Sequence, residues 1–184
     1  MMLHPAKTKC MLLGSKCKMR STQSPNIKLE LDEVIIENVS FQKVLGIYVD
    51  NTLSWNIQLK KICSKLNSKI ALLKRISTYL THDMKLMYYN AYIMSTFDYC
   101  CSIWGKGTYI EAAISKMQKR AARIILNKPL RTNSVEMFAE LQWLPFTKRY
   151  DYHVALLVYK CINNSAPKYI TNHLTFSKNS AYSL

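Results

Sequence analysis

A chain of 184 residues carries 26 Lys/Arg against 11 Asp/Glu, a formal net charge of +15, with 49% hydrophobic residues. The apolar share is enough for a real core, and the charge points to a polyanionic partner, nucleic acid before an anionic membrane surface. The six cysteines form no CxxC pair, which argues against a zinc ribbon or a secreted disulfide framework and for reduced thiols in an intracellular protein, nuclear or cytoplasmic.

The first 53 residues read as β structure. KCMLLGS (9–15) is a short strand, and KCKMRSTQSPN (16–26) is a polar loop. IKLEL (27–31) and VII (34–36) flank Asp32-Glu33 as a hairpin, and FQKVLGIYV (41–49) is a further strand with Gly46 inside it. At Ser54 the period becomes helical, with Ser54 as N-cap. Trp55, Leu59, Ile62, Leu66, Ile70 and Leu73 form one apolar stripe, and the helix runs to about Ile76.

A second helix starts near Thr81 or His82 and runs to about Trp104, where Gly105 and Gly107 end it. Its charge-free stretch, 86–97, is too short to span a membrane. A third helix covers about 108–126, with the stripe Ile110, Ile114, Met117, Ala121 and Ile124, and Pro129 stops the run. A short helix at 133–140 follows. The last long helix, about 146–163, buries Tyr150, Val154, Leu157 and Cys161; Pro167 opens one more turn, and 177–184 is a flexible tail. The expected fold class is therefore α+β. A small antiparallel β part (1–53) precedes basic helices (54–131), a C-terminal helical extension (132–176) and the tail.

Residues 54–131 hold 14 of the Lys/Arg and 3 of the acids. Lys60, Lys61, Lys65 and Lys69 on the first helix, and Lys116, Lys119, Arg120 and Arg123 on the third, lie away from the apolar stripes. Ordinary surface helices mix signs; rows of one sign suit a phosphate backbone. Catalytic chemistry has no comparable signal. The histidines are scattered, no HExxH or GxSxG occurs, and no paired carboxylates suit a two-metal centre. No catalytic residue, metal site or cofactor is expected in this chain.

FQKVLGIYVDNTLSW (41–55) resembles the segment that follows the catalytic aspartates in reverse transcriptases of non-LTR (LINE-type, jockey-like) retrotransposons. LHPAKTKCMLLGS (3–15), YNAYIMSTFDYCCSIWG (89–105), KMQKRAARIIL (116–126) and ELQWLP with KRYDYHVALLVYKCINNSAPKYI (140–170) resemble blocks that flank it in order, so the likeness covers about residues 3–175. It implies the end of a palm, a thumb and the helices beyond. Leu45 and Gly46 would belong to a primer-grip hairpin, where a missing Cβ lets a nucleic-acid backbone approach; a bulge glycine is the plainer alternative. Lys7 would match a palm lysine near the incoming nucleotide, with Lys9 competing for the role. The family's Asp-Asp motif would precede position 3, so the chain alone is expected to be inactive as a polymerase; the full family enzyme uses Mg2+. His4 stands where the family usually has Asn.

The function expected is sequence-independent binding of RNA or an RNA·DNA duplex through phosphates, alongside the missing catalytic half of the polymerase and without a membrane partner. Two alternatives stay open: a protein-interaction helical bundle, and a relic of a transposable element.

Overall fold

The computed structural model describes residues 4, 7–21, 28–31 and 33–172, and 59% of the described residues are helical. The fold class is α+β. Two compact units divide the chain, 1–65 and 66–184, and the division falls within the first long helix. The expected tail at 177–184, the end of the extension at 173–176 and the first residue of the strand at 27–31 lie outside the described residues.

In the first unit, β1 (Lys9–Cys10) pairs with β4 (Glu37–Asn38), and this pair is parallel, where an antiparallel set was expected. A strand over 9–15 shrinks to two residues, but the chain stays tied: the Gly14 N–H donates to the Asn51 carbonyl at 3.0 Å. The expected loop at 16–26 begins with a helix, α1 (Lys16–Ser21). Ser15 starts it, accepting from the Met19 N–H at its carbonyl and from the Lys18 N–H at its hydroxyl. β2 (Glu30–Leu31) and β3 (Val34–Ile35) make the expected hairpin, with Glu33 turning at φ 64°.

The stretch 41–49 is not one strand. β5 (Phe41–Val44) and β6 (Ile47–Asp50) pair antiparallel, in the register Phe41↔Asp50 to Val44↔Ile47. Leu45 and Gly46 are the two turn residues, with φ 47° and 90°. Positive φ at both central positions matches the twist of a two-residue hairpin. The glycine therefore serves the turn and marks no bulge within a buried strand.

Asp50 organises the exit from β6. Its side chain is buried, with 6% exposure. It accepts four hydrogen bonds: Thr52 Oγ1 at 2.7 Å, the Ser54 N–H and hydroxyl at 3.0 and 2.9 Å, and the Trp55 N–H at 2.9 Å. These bonds hold the loop through Leu53 and Trp55, both at positive φ, into α2 (Asn56–Ile76). Ser54 is thus not the N-cap; its hydroxyl is turned to Asp50. Burial by itself would raise the carboxyl, but the hydrogen bonds outweigh it and hold the group at about 2, below 3.8. Gln58, also buried, accepts the Tyr48 N–H at 3.0 Å and ties α2 to β6.

Along α2 the stripe Leu59, Ile62, Leu66, Ile70 and Leu73 is buried as the period required, while Trp55 stands half-buried before the helix. In the second unit the expected helix over 82–104 is segmented. α3 (His82–Tyr88) passes into a π-helical stretch (Tyr89–Met94), then α4 (Ser95–Asp98). Cys100, in the left-handed region at φ 51°, breaks the run before α5 (Cys101–Trp104). Gly105 follows where a Cβ would lie 2.5 Å from the Cys101 carbonyl oxygen. α6 (Thr108–Leu126), α7 (Ser134–Glu140), α8 (Phe146–Ile162) and α9 (Lys168–Thr171) complete the unit.

The core of this unit gathers Tyr89, Ile93, Phe97, Trp104, Ile114, Met137 and Phe146. Phe97 and Trp104 both pack on the Phe146 ring, at centroid distances of 5.8 and 6.1 Å. The α6 stripe is rotated toward its C-terminal end: Gln118, Ala122 and Ile125 are buried, and Met117 and Ile124 are half-buried. In α8 Phe146 and Cys161 are buried, Tyr150 and Val154 are half-buried, and Leu157 is exposed. Among the described residues no helix is long and apolar enough to cross a membrane.

Asp50 is held below its unfolded value, so its contribution of about 2 kcal/mol is full above pH ~4 and fades as pH falls toward 2. Asp50→Asn is expected to lose most of it at pH 7, with amide exchange at Ser54 and Trp55 accelerated; unchanged exchange would refute that role.

Candidate nucleic-acid interface

The α6 helix sets the geometry of the basic residues. At about 100° per residue, Lys116, Lys119, Arg120 and Arg123 fall within an arc of about 100°. That arc lies opposite Ile114, Gln118, Ala121 and Ile125, which are buried. Lys116 and Arg120 are exposed, and Lys119 and Arg123 are half-buried. Arg120 donates to Asn67 Oδ1 at 2.7 Å, which steadies the guanidinium and leaves other N–H groups for a ligand. The Arg123 Nε is buried without a hydrogen-bond partner. Among the described residues none of the four pairs with a carboxylate. The α6 acid, Glu111, sits in the first turn, where it accepts the Gly107 N–H and lies 3.9 Å from Lys106.

What holds α6 in this orientation is Gln118, a buried amide with 1% exposure that the apolar stripe expected for this helix leaves out. Its Nε2 donates to the Leu144 carbonyl at 2.9 Å and to the Tyr89 hydroxyl at 3.3 Å. Its Oε1 accepts the Phe146 N–H at 3.1 Å. One side chain thereby joins α6, the π-helical stretch and the start of α8. Trp143 stacks on Tyr89 at 3.6 Å beside it. A glutamine in an otherwise apolar register was the available signal.

The lysines of α2 divide. Lys60, Lys61 and Lys65, in the first unit, are exposed, and the Lys61 and Lys43 ammonium groups stand 5.9 and 6.0 Å from the Tyr48 ring. Lys69, in the second unit, is engaged internally. Its ammonium donates to the Tyr92 carbonyl at 2.8 Å and to Thr96 Oγ1 at 2.6 Å. It therefore acts as a strut between α2 and the π-helical stretch. Leu45, 86% exposed, and Gly46 form the hairpin tip. Lys7 is exposed in a single turn whose N–H bonds to His4, while Lys9 pairs with Glu37 at 2.9 Å.

One titratable cluster was not foreseen, because its members come from separate helices. Asp98, Cys101 and His153 offer ligand atoms within 4.8 Å of one another. Among the described residues, these three are the ones grouped closely enough to offer ligands to a metal ion. Arg149 grips both oxygens of Asp98, one bond at 2.8 Å from Nε and the other from Nη2. The Asp98 hydrogen bond raises the guanidinium further above its ordinary range. Burial pushes the Cys101 thiol up to about 11. A carboxylate so engaged and a thiol so protonated make a structural joint between α4, α5 and α8, and a poor nucleophile.

Comparison with protein-family models, curated proteins and solved structures returns no match. The geometry of the basic face is therefore what carries a functional reading.

Two outcomes test this geometry. Gln118→Ala leaves the Phe146 N–H and the Leu144 carbonyl without their partner in the core, and urea denaturation is expected to show a loss of roughly 3 kcal/mol. Iodoacetamide at about pH 8 is expected to alkylate the exposed Cys17 well before the buried Cys101; equal rates in the folded chain would contradict the joint.

Proposed function

We propose that this chain binds the sugar-phosphate backbone of RNA or an RNA·DNA duplex without regard to base sequence. The observation that carries the reading is the α6 row. Lys116, Lys119, Arg120 and Arg123 share one face, opposite a buried face, and none is neutralised by a carboxylate among the described residues. Phosphate contacts of this kind set affinity and register, and carry no sequence information directly. The order of sequence blocks resembling non-LTR reverse transcriptases supports the same reading, with residues 54–131 in the place of the thumb, 132–176 in that of the helices beyond, and Leu45-Gly46 in the place of the grip. Polymerisation by this chain alone is not part of the proposal.

The exposed Val34, Ile35, Phe41, Val44 and Leu45 favour a second reading, docking of the first unit on another polypeptide such as a polymerase's catalytic half. Short strand pairs with apolar edges are open to such augmentation.

Binding of a labelled RNA·DNA duplex across a salt series separates these. Log K is expected to fall with log salt. When Lys116, Lys119, Arg120 and Arg123 become Ala, the slope is expected to shrink by roughly 0.9 for each phosphate that is no longer neutralised. Lys69→Met is expected to lower Tm and leave the slope unchanged, since its ammonium is engaged by Tyr92 and Thr96. A folded chain that ignores the duplex, yet binds a polypeptide without salt dependence, would replace the first reading with the second.

A further inference from the structure

The α6 row borders a groove in the second unit. It has a volume of about 550 Å³ and lies between α6, α7 and the segment leading into α8. Lys119 lines it, and among the described residues that do it is the one that carries a charge. Ser115, one turn before Lys119, lies on the same wall, with Phe138 and Trp143 supplying ring surface and Gln142 an amide. The Trp143 ring is held firmly, since its stack on Tyr89 is nearly parallel, with 13° between the planes.

We propose that this groove receives an unpaired nucleobase of the nucleic acid whose phosphates run along α6; the inference rests on the backbone-binding reading. Three observations point to this occupant. The groove's single charge is a cation that also belongs to the phosphate row, so a strand leaving the row at Lys119 enters the groove without crossing an acid. The lining combines aromatic and apolar side-chain surface, against which any base can pack, with hydroxyl and amide groups that can meet its polar rim. The volume lies within the range of pockets for nucleotide-sized ligands. A partner helix would instead need apolar anchors repeated along an extended trough, and would have to bring its own carboxylate to Lys119.

The test compares the full chain on two RNA·DNA duplexes, one blunt and one with a short single-stranded overhang carrying 2-aminopurine. The overhang is expected to tighten binding by about tenfold, and the 2-aminopurine emission to drop on stacking. Val135, 72% exposed at the groove, allows a filling substitution on the surface. Val135→Trp is expected to abolish both effects and leave blunt-duplex binding and Tm unchanged. Equal affinity for both duplexes, with salt-steep binding intact, would overturn the groove and spare the backbone reading. Failure of a folded chain to bind either duplex would overturn both. An acidic amphipathic peptide that binds wild type and fails to bind Val135→Trp, with no overhang effect, would assign the groove to a protein partner.

Discussion

The second unit depends on the Gln118 amide. A buried amide must satisfy its donors and its acceptor, since an unpaired polar group in a core is costly. Gln118 does so by joining three segments far apart in the chain: the Tyr89 hydroxyl, the Leu144 carbonyl and the Phe146 N–H. An apolar residue at this position could slide or rotate within the core. The amide cannot, because its donors and acceptor point in different directions. Rotation of α6 about its own axis is thereby restricted, and Lys116 and Arg120, opposite Gln118, are set to solvent. The cationic row owes its alignment to a contact on the other side of the helix.

Asp50 plays the comparable part in the first unit. The loop from β6 to α2 places Leu53 and Trp55 at positive φ, a conformation that side chains with a Cβ adopt reluctantly. Four hydrogen bonds to one carboxylate compensate for it. Charge at Asp50 is therefore structural. Asp98 shows the same logic in the second unit, where Arg149 neutralises it beside a protonated Cys101.

Counting cations would have misjudged this surface. Eight Lys/Arg were candidates for phosphate contact, and each is basic in sequence. Lys69 bridges two elements of its own unit, and Arg120 is partly engaged by Asn67. What distinguishes a ligand-facing cation from a strut is the set of acceptors within reach, and those acceptors come from residues more than twenty positions away. Of the eight, Lys69 is removed from the exposed cations by this sorting, and the α6 row is kept.

Period, composition and local breakers were enough for the α+β class, the near bounds of the long helices α2, α6 and α8, the buried stripe of α2 and the row of four cations on α6. They also placed the stop at Gly105 and the short helix before Trp143. The rest came from packing. Leu45-Gly46 became a turn because β5 and β6 pair with each other. The helix over 82–104 was broken at Cys100 and loosened into a π-helical stretch where Tyr89 and Ile93 enter the core. Ser54 turned its hydroxyl away from the helix to Asp50 at the end of a strand, and the α6 stripe shifted to include Gln118. Each of these outcomes depends on a hydrogen bond or a packing contact that a residue makes beyond its immediate neighbours, and period and propensity report only on neighbours.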